Sequence, residues 1–297
     1  MLKINSIAIV GVGLIGGSVA LGLKRAGLVG EVLGVGRNHA SLAEAIGLGV
    51  IDRALDLTEA ASTADCVLIA TPVRQMPDVF RAIAPHLRAD TLVMDAGSTK
   101  QDVLSAARMH LGPKIAQFVP AHPIAGREMS GVKAADATLF ENKKVVLTPL
   151  TENAPLTIEK AESVWRACGA NVLTMSAEAH DAIFAAVSHL PHMLAFALVD
   201  ELAQRPNAKT LFSFAASGFR DFTRIAGSNP EMWRDIALNN REALLAEMDA
   251  YLEKAEQLRA LIAAADTSKL EALMQRSHDA KAQWLAGELD SFRDEPS

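Results

Sequence analysis

Two short segments hold the residue types that chemistry needs. Gly11-Val12-Gly13-Leu14-Ile15-Gly16-Gly17-Ser18 follows an apolar run, Ser6 to Val10. Ala121-His122-Pro123-Ile124-Ala125-Gly126-Arg127-Glu128 follows another, Ile115 to Val119. The first has the GxGxxG spacing between a strand and a helix. Its glycines permit a tight turn, a close approach of backbone to a pyrophosphate, and close packing of helix on strand. Helix N–H groups and the helix dipole then hold the phosphates. The second segment sets an imidazole and a guanidinium just past a strand end, where open α/β sheets gather their ligands. Together they point to redox chemistry at a carbinol of an anionic substrate.

Cofactor choice is written after the second strand, where an acid would bond the ribose 2′-OH of NAD. This chain has Val35-Gly36-Arg37-Asn38-His39 there, with no acid. A guanidinium pairs well with the 2′-phosphate of NADP, so Arg37 favours NADP. The alternative is a solvated Arg37 stacked on the adenine, with NAD bound. Gly11, Gly13, Leu14, Ile15, Gly16, Arg37 and Thr71, which closes the run Cys66-Val-Leu-Ile-Ala-Thr71, make up the expected cofactor site.

These residues need a scaffold. Short apolar runs at 6–10, 31–35, 66–71, 91–95, 115–119, 145–148 and 171–174 read as buried strands. Helical patterns at 18–26, 41–45, 76–86, 100–110 and 155–168 alternate with them. That alternation predicts a doubly wound parallel sheet. Beyond Met175 the strand signals stop, and 177–204 reads as one long apolar helix. Pro230 opens a further helix. Leu244, Met248, Tyr251, Ala255, Leu258 and Ile262 step by four and three, a heptad-like stripe. The expected organisation is an α/β dinucleotide-binding domain over 1–175 and an all-helical domain over 176–297. The stripe serves either as intramolecular core or as a subunit interface, and a homodimer through the C-terminal helices is the favoured reading.

Bulk properties narrow the field. Of 297 residues half are apolar, there is a single tyrosine, and the net charge is −6. A negative balance disfavours nucleic acid or an anionic membrane as partner. It also requires local positive charge to catch an anionic substrate. No uninterrupted apolar stretch of membrane-spanning length is expected. Met1 to Ile4 runs straight into a strand pattern, so no signal peptide is expected. Cys66 and Cys168 lie far apart in apolar contexts without metal spacing, which predicts reduced core thiols, no metal site and a cytoplasmic protein.

At this point a resemblance becomes specific. GVGLIGGS at 11–18, DAGSTK at 95–100, HPIAGREMSG at 122–131, SHLPH at 188–192 and GFRDFTRIA at 218–226 occur in order. The chain resembles the prephenate/arogenate dehydrogenase family over essentially its whole length. The resemblance implies a Rossmann domain followed by a helical dimerisation domain. It also implies oxidative decarboxylation of a cyclohexadienol dicarboxylate, with hydride passing from C4 to NAD(P) and CO₂ leaving. The chain is expected to lack the fused mutase or regulatory domains of some members.

By the same resemblance, His122 is the base toward the C4 hydroxyl, and Ser98 orients hydroxyl and nicotinamide or caps the following helix. Arg224 binds a substrate carboxylate, and His192 lines the same pocket. His189 either joins them or is a core residue. Glu128, Asp181 and Asp221 fall where the family has acids networked around the arginine, with surface pairing as the alternative. His180 and Trp233 match pocket-edge positions. Arg127 departs from the family pattern, and either reaches a substrate carboxylate or pairs with a nearby acid. Other two-domain reductases, of the β-hydroxyacid dehydrogenase or pyrroline-carboxylate reductase type, share the architecture. The former needs a catalytic lysine, and the nearest to SHLPH is Lys209. A cofactor-sensing module without turnover would have no need of His122, Ser98 and Arg224 together.

Overall fold

A computed structural model describes residues 4–127 and 129–288. Strand β1 (Ile4–Val10) leads through the glycine turn into α1 (Leu14–Arg25), β2 (Val29–Val35), α2 (His39–Gly47), β3 (Arg53–Ala54) and α3 (Leu57–Thr63). There follow β4 (Cys66–Ile69), α4 (Met76–Ile83), β5 (Leu92–Asp95), α5 (Gln101–Leu111) and β6 (Phe118–Val119). These six strands form one parallel sheet in the order β3-β2-β1-β4-β5-β6. Strand order reverses between β1 and β4, and a ligand crevice opens at such a switch point.

Alternation along β1 explains the two-faced burial. Ile7 and Ile9 join Val19, Leu23 and Trp165 on one face, while Ala8 and Val10 join Ala60, Phe80 and Ile83 on the other. Helices therefore cover both faces, and the strands read as apolar runs rather than as alternating ones.

The later strands depart from the expected single sheet. β7 (Ala121–Pro123), β8 (Lys144–Leu147) and, after α6 (Pro155–Ala167), β9 (Asn171–Thr174) form a separate three-stranded sheet. β7 runs antiparallel to β8, with His122 opposite Val146, and β8 runs parallel to β9. Only Phe118 and Val119 of the expected 115–119 strand are extended, and Gly112–Gln117 is a 3₁₀ turn. Pro120 lies between β6 and β7, so the run breaks there and His122 belongs to the second sheet.

The long helix expected over 177–204 is also interrupted. α7 (Ala177–Phe184) and α8 (Leu190–Ala203) are joined by a π-turn at Ala185–His189. A π-bulge inserts one residue into the helix and is frequent at functional sites. By length and composition the run 177–203 is apolar enough to cross a membrane, an apolar character stronger than the sequence reading allowed. Here it carries His180 and Asp181, both fully buried.

The remaining helices are α9 (Ala208–Ser213), α10 (Ser217–Thr223), α11 (Pro230–Asn239), α12 (Arg241–Ala263) and α13 (Thr267–Ala286). By its internal packing the chain forms two compact units, Met1–Leu244 and Leu245–Ser297. The first unit therefore includes α7 to α11 with both sheets. In the second unit the Asp266 carboxylate caps α13 by accepting from Lys269 N at 3.0 Å. Neither helix there buries a residue beyond Leu244, while Tyr251, Leu252, Ile262, Met274, Trp284 and Leu285 are exposed.

Candidate active site

The glycine turn is built as its spacing demands. Gly11 sits at φ +97°, and a Cβ there would lie 2.7 Å from the Ala70 carbonyl oxygen. At Gly16 a Cβ would meet Gly11 O at 2.4 Å and Ile9 Cγ2 at 2.6 Å, so only glycine lets α1 pack this close to β1. These two shape the turn. Gly13, Leu14 and Ile15 wall a cleft of about 580 Å³, together with Arg37, Thr71, Gly97, Ser98 and Arg127.

Features of this cleft suit a dinucleotide. A Cβ at Gly13 would meet nothing within 4 Å. The N-terminus of α1 has no side-chain cap and no acid in its first turn, so its N–H groups and dipole favour an anion. Thr71 Oγ1 is buried without a hydrogen-bond partner among the described residues. Arg37 is exposed at the end of β2. Asn38 beside it is occupied as the α2 cap, its Oδ1 accepting from Ser41 N at 3.1 Å.

A buried ion pair fixes the next layer. Lys100 and Asp95 are both fully buried and bonded to each other. Lys100 Nζ also donates to Ala121 O at 2.8 Å, and Asp95 Oδ1 accepts from Ala121 N at 2.9 Å. The residue before His122 is thus gripped from both sides by the turn that carries Ser98. Asp95 Oδ2 accepts from Gly97 N at 2.7 Å, which shapes that turn from within. Neither role was assigned from the sequence, because Lys100 and Asp95 read simply as parts of DAGSTK. Ser98 is half-buried in the cleft wall and does not cap α5.

Asp181 takes the capping role from 80 residues away. Its Oδ1 accepts from Lys100 N and its Oδ2 from Gln101 N, both at 2.9 Å. Its Oδ1 also receives His180 Nδ1 at 2.7 Å, and His180 Nε2 lies 2.8 Å from His122 Nδ1. Burial pushes the Asp181 carboxyl up, but the His180 imidazole and the two backbone N–H groups outweigh it and hold it below its usual range. An ionised Asp181 fixes the tautomers in sequence. His180 donates from Nδ1 and accepts at Nε2, so His122 donates from Nδ1 and keeps an unprotonated Nε2.

Burial, with His180 and Lys100 adding to it, holds the His122 imidazole well below the ordinary histidine range. His122 is therefore neutral near pH 7, half-buried, and stands outside the wall of the cleft itself. Phe184 packs beside both rings, with centroids 4.8 Å from His122 and 4.5 Å from His180.

A second cluster lies on α8, α11 and the π-turn. Asn240 Nδ2 donates to Asp181 O at 2.8 Å and to His189 Nδ1 at 3.1 Å, tying the two clusters together. Burial lowers His189 to about 4. His189 is thus buried as its core reading expected, with the Asn240 side chain as partner. His192 donates from Nδ1 to Ser188 O at 2.8 Å and stacks on Trp233, centroids 3.5 Å apart. Trp233 is buried with its Nε1 unpartnered among the described residues. The charge of Arg224 bears on His192, so the guanidinium is its neighbour.

The structure places two of the three acids expected around Arg224. Asp181 is committed to His180 and the start of α5, Asp221 is exposed on α10, and Glu128 lies outside the described residues. Arg127 lines the cleft and is paired with Asp136, whose N–H donates to Ser18 Oγ on α1. Asp235, buried and bonded to Arg234 at 2.7 Å, walls the cleft and was not anticipated. Its place as the one buried acid on α11 gives no signal in a charged helical stretch. Among the described residues, no group of three or more His, Cys, Asp or Glu could hold a metal ion.

A parallel sheet in this strand order, a capless α1 facing a cleft at the switch point, and a half-buried neutral histidine define a nicotinamide-dependent dehydrogenase. Comparison with known proteins makes that specific. Residues 19–174 match the nucleotide-binding domain of prephenate dehydrogenase, and 176–276 match its dimerization domain. The chain belongs to the prephenate dehydrogenase family.

Prephenate dehydrogenase of Bacillus subtilis is 37% identical over 269 residues, 90% of this chain and 72% of that protein. Cyclohexadienyl dehydrogenase of Zymomonas mobilis is 36% identical over 272 residues, 90% and 91% respectively. Among solved structures, prephenate dehydrogenase of Aquifex aeolicus, in complex with hydroxyphenyl propionate and NAD+, superposes with a TM-score of 0.90. It is 36% identical and covers 95% of this chain and 99% of its own. The other two-domain reductase types are thereby set aside.

Proposed function

We propose that the chain oxidatively decarboxylates prephenate, arogenate or both, with His122 as the base. The observation that carries this reading is the Asp181–His180–His122 relay, which leaves a neutral imidazole nitrogen to accept a proton. The nicotinamide cofactor supplies the hydride acceptor. His122 Nε2 takes the C4 hydroxyl proton as the carbinol becomes a carbonyl. Ser98, in the cleft wall, orients that hydroxyl. Loss of the ring carboxylate as CO₂ restores aromaticity and makes the step effectively irreversible. The Arg224 guanidinium grips a carboxylate of the substrate. His192, stacked on Trp233, lines the pocket, and His189 lies behind it, held by Asn240.

NADP is the preferred cofactor in this reading. No acid stands at the end of β2, Asn38 is occupied as a cap, and Arg37 is exposed on the cleft. The exposed apolar faces of α12 and α13 support a homodimer, matching a region whose family description is a dimerization domain. A reduced, cytoplasmic enzyme fits the two buried thiols.

Steady-state kinetics with prephenate and arogenate, crossed with NAD and NADP, test the reading. It expects turnover with at least one substrate and a higher kcat/KM with NADP. No turnover of either substrate would refute the activity, and a preference for NAD would refute the role given to Arg37.

A further inference from the structure

Arg127 lies five positions past His122, and its side chain lines the cleft that Gly13, Leu14 and Ile15 also line, whereas His122, His192 and Arg224 do not line it. We propose that Arg127 is a cofactor residue, whose guanidinium binds the pyrophosphate of the dinucleotide opposite the N-terminus of α1.

Three observations carry this. First, the segment holding Arg127 is fastened onto the first turns of α1. Asp136 N donates to Ser18 Oγ at 2.9 Å, and a Cβ on Gly17 would come within 2.8 Å of Ala135 Cβ. The same segment is tied to α2 by Lys133 Nζ and Glu44 at 2.9 Å. Second, Asp136 orients the guanidinium. Its carboxylate accepts from Thr138 N and Thr138 Oγ1, both at 2.8 Å, and from Arg127 Nη2. The Thr138 backbone and hydroxyl, then Arg127, bring Asp136 down to about 2, so the anchor stays ionised at working pH. A guanidinium carries five N–H donors in a planar fork, and an anchor on Nη2 leaves others for a phosphate. Third, the anion seat at α1 holds no charge of its own. The first turn has neither a basic residue nor a side-chain cap, so the helix supplies only N–H groups and its dipole. Arg37 stands at the end of β2, on the ribose side, which leaves the pyrophosphate to Arg127.

The test measures dissociation constants of NAD and NADP for the full chain without substrate, by cofactor fluorescence or calorimetry. It also measures KM for prephenate at saturating cofactor. Arg127→Ala is expected to weaken NAD and NADP alike by about tenfold or more, the usual worth of a charge-assisted phosphate pair. KM for the substrate should stay within about twofold. Arg127→Lys should recover part of the loss. Asp136→Asn, which keeps the guanidinium but loosens its anchor, should weaken both cofactors by a smaller factor.

Unchanged affinity for both cofactors would overturn the proposal. So would weakening of NADP alone, which would put Arg127 on the 2′-phosphate, or a rise in substrate KM with cofactor affinity intact. Because cofactor binding is read without substrate, this result stands apart from whether prephenate or arogenate is turned over.

Discussion

His122 is chemically useful because of what lies behind it. A histidine exposed at a strand end would be partly protonated near its ordinary pKa of about 6.5. Here burial keeps it neutral, and the chain from Asp181 through His180 decides which nitrogen is bare. Two outcomes follow at this scale. The acid limb of kcat/KM should fall at an apparent pKa below about 6.5, because the base works only when unprotonated and its pKa is depressed. A limb above 7 would contradict the assignment. Asp181→Asn should lower kcat by about tenfold or more at unchanged cofactor affinity, since an amide no longer dictates the His180 tautomer. A kcat within twofold of the parent would remove Asp181 from the relay.

Elements do the positioning. Helix α5 begins without a cap of its own, and Asp181 on α7 completes it, so one carboxylate serves both a helix terminus and the relay. The turn between β1 and α1 is equally constrained. Gly11→Ala at φ +97°, with a Cβ 2.7 Å from a carbonyl oxygen, should cost about 1–3 kcal/mol of backbone strain. It should lower Tm and weaken both nicotinamide cofactors. Thermal melting beside cofactor titration checks this, and an unchanged Tm with full affinity would contradict the reading of the turn.

Element scale is also where sequence reading succeeded and failed. The β1, β4 and β5 runs and helices α1 and α6 are legible, since apolar runs bounded by Gly and Pro leave few alternatives. The second sheet was not, because β7 spans three residues and its antiparallel partner β8 lies more than 20 positions on. A π-turn leaves no trace in apolar spacing. Among site residues, the glycine turn, Ser98 and His122 carry local signals. The link from Asp181 to the start of α5 depends on how distant elements pack, and so does the pairing of Arg127 with Asp136, whose backbone bonds Ser18 of α1.

Over the whole molecule four histidines, two buried and two half-buried, couple stability to pH. His122, His180, His189 and His192 all have pKa values depressed below the unfolded value, burial being the leading cause for each. The unfolded chain therefore binds more protons below about pH 6.5, and stability present above that pH is lost as pH falls through the folded values. The lowered carboxyls of Asp52, Asp65 and Asp181 act in a separate window, below about pH 4. Tm should fall between pH 7 and pH 5, and a flat or rising Tm would contradict this account.

The exposed faces of α12 and α13 should be covered by a second copy. Ile262→Asp, at a position 60% exposed in the single chain, should shift sedimentation from dimer toward monomer. An unaltered sedimentation coefficient would place the interface elsewhere.

The central claim is that one neutral imidazole removes the hydroxyl proton. Its most direct test is kcat of His122→Asn, with cofactor affinity and Tm measured on the same preparation. The account predicts a loss of about 10²–10⁴ in kcat, the usual contribution of a general base, with cofactor affinity unchanged. A folded, cofactor-binding variant that keeps kcat within threefold would contradict it.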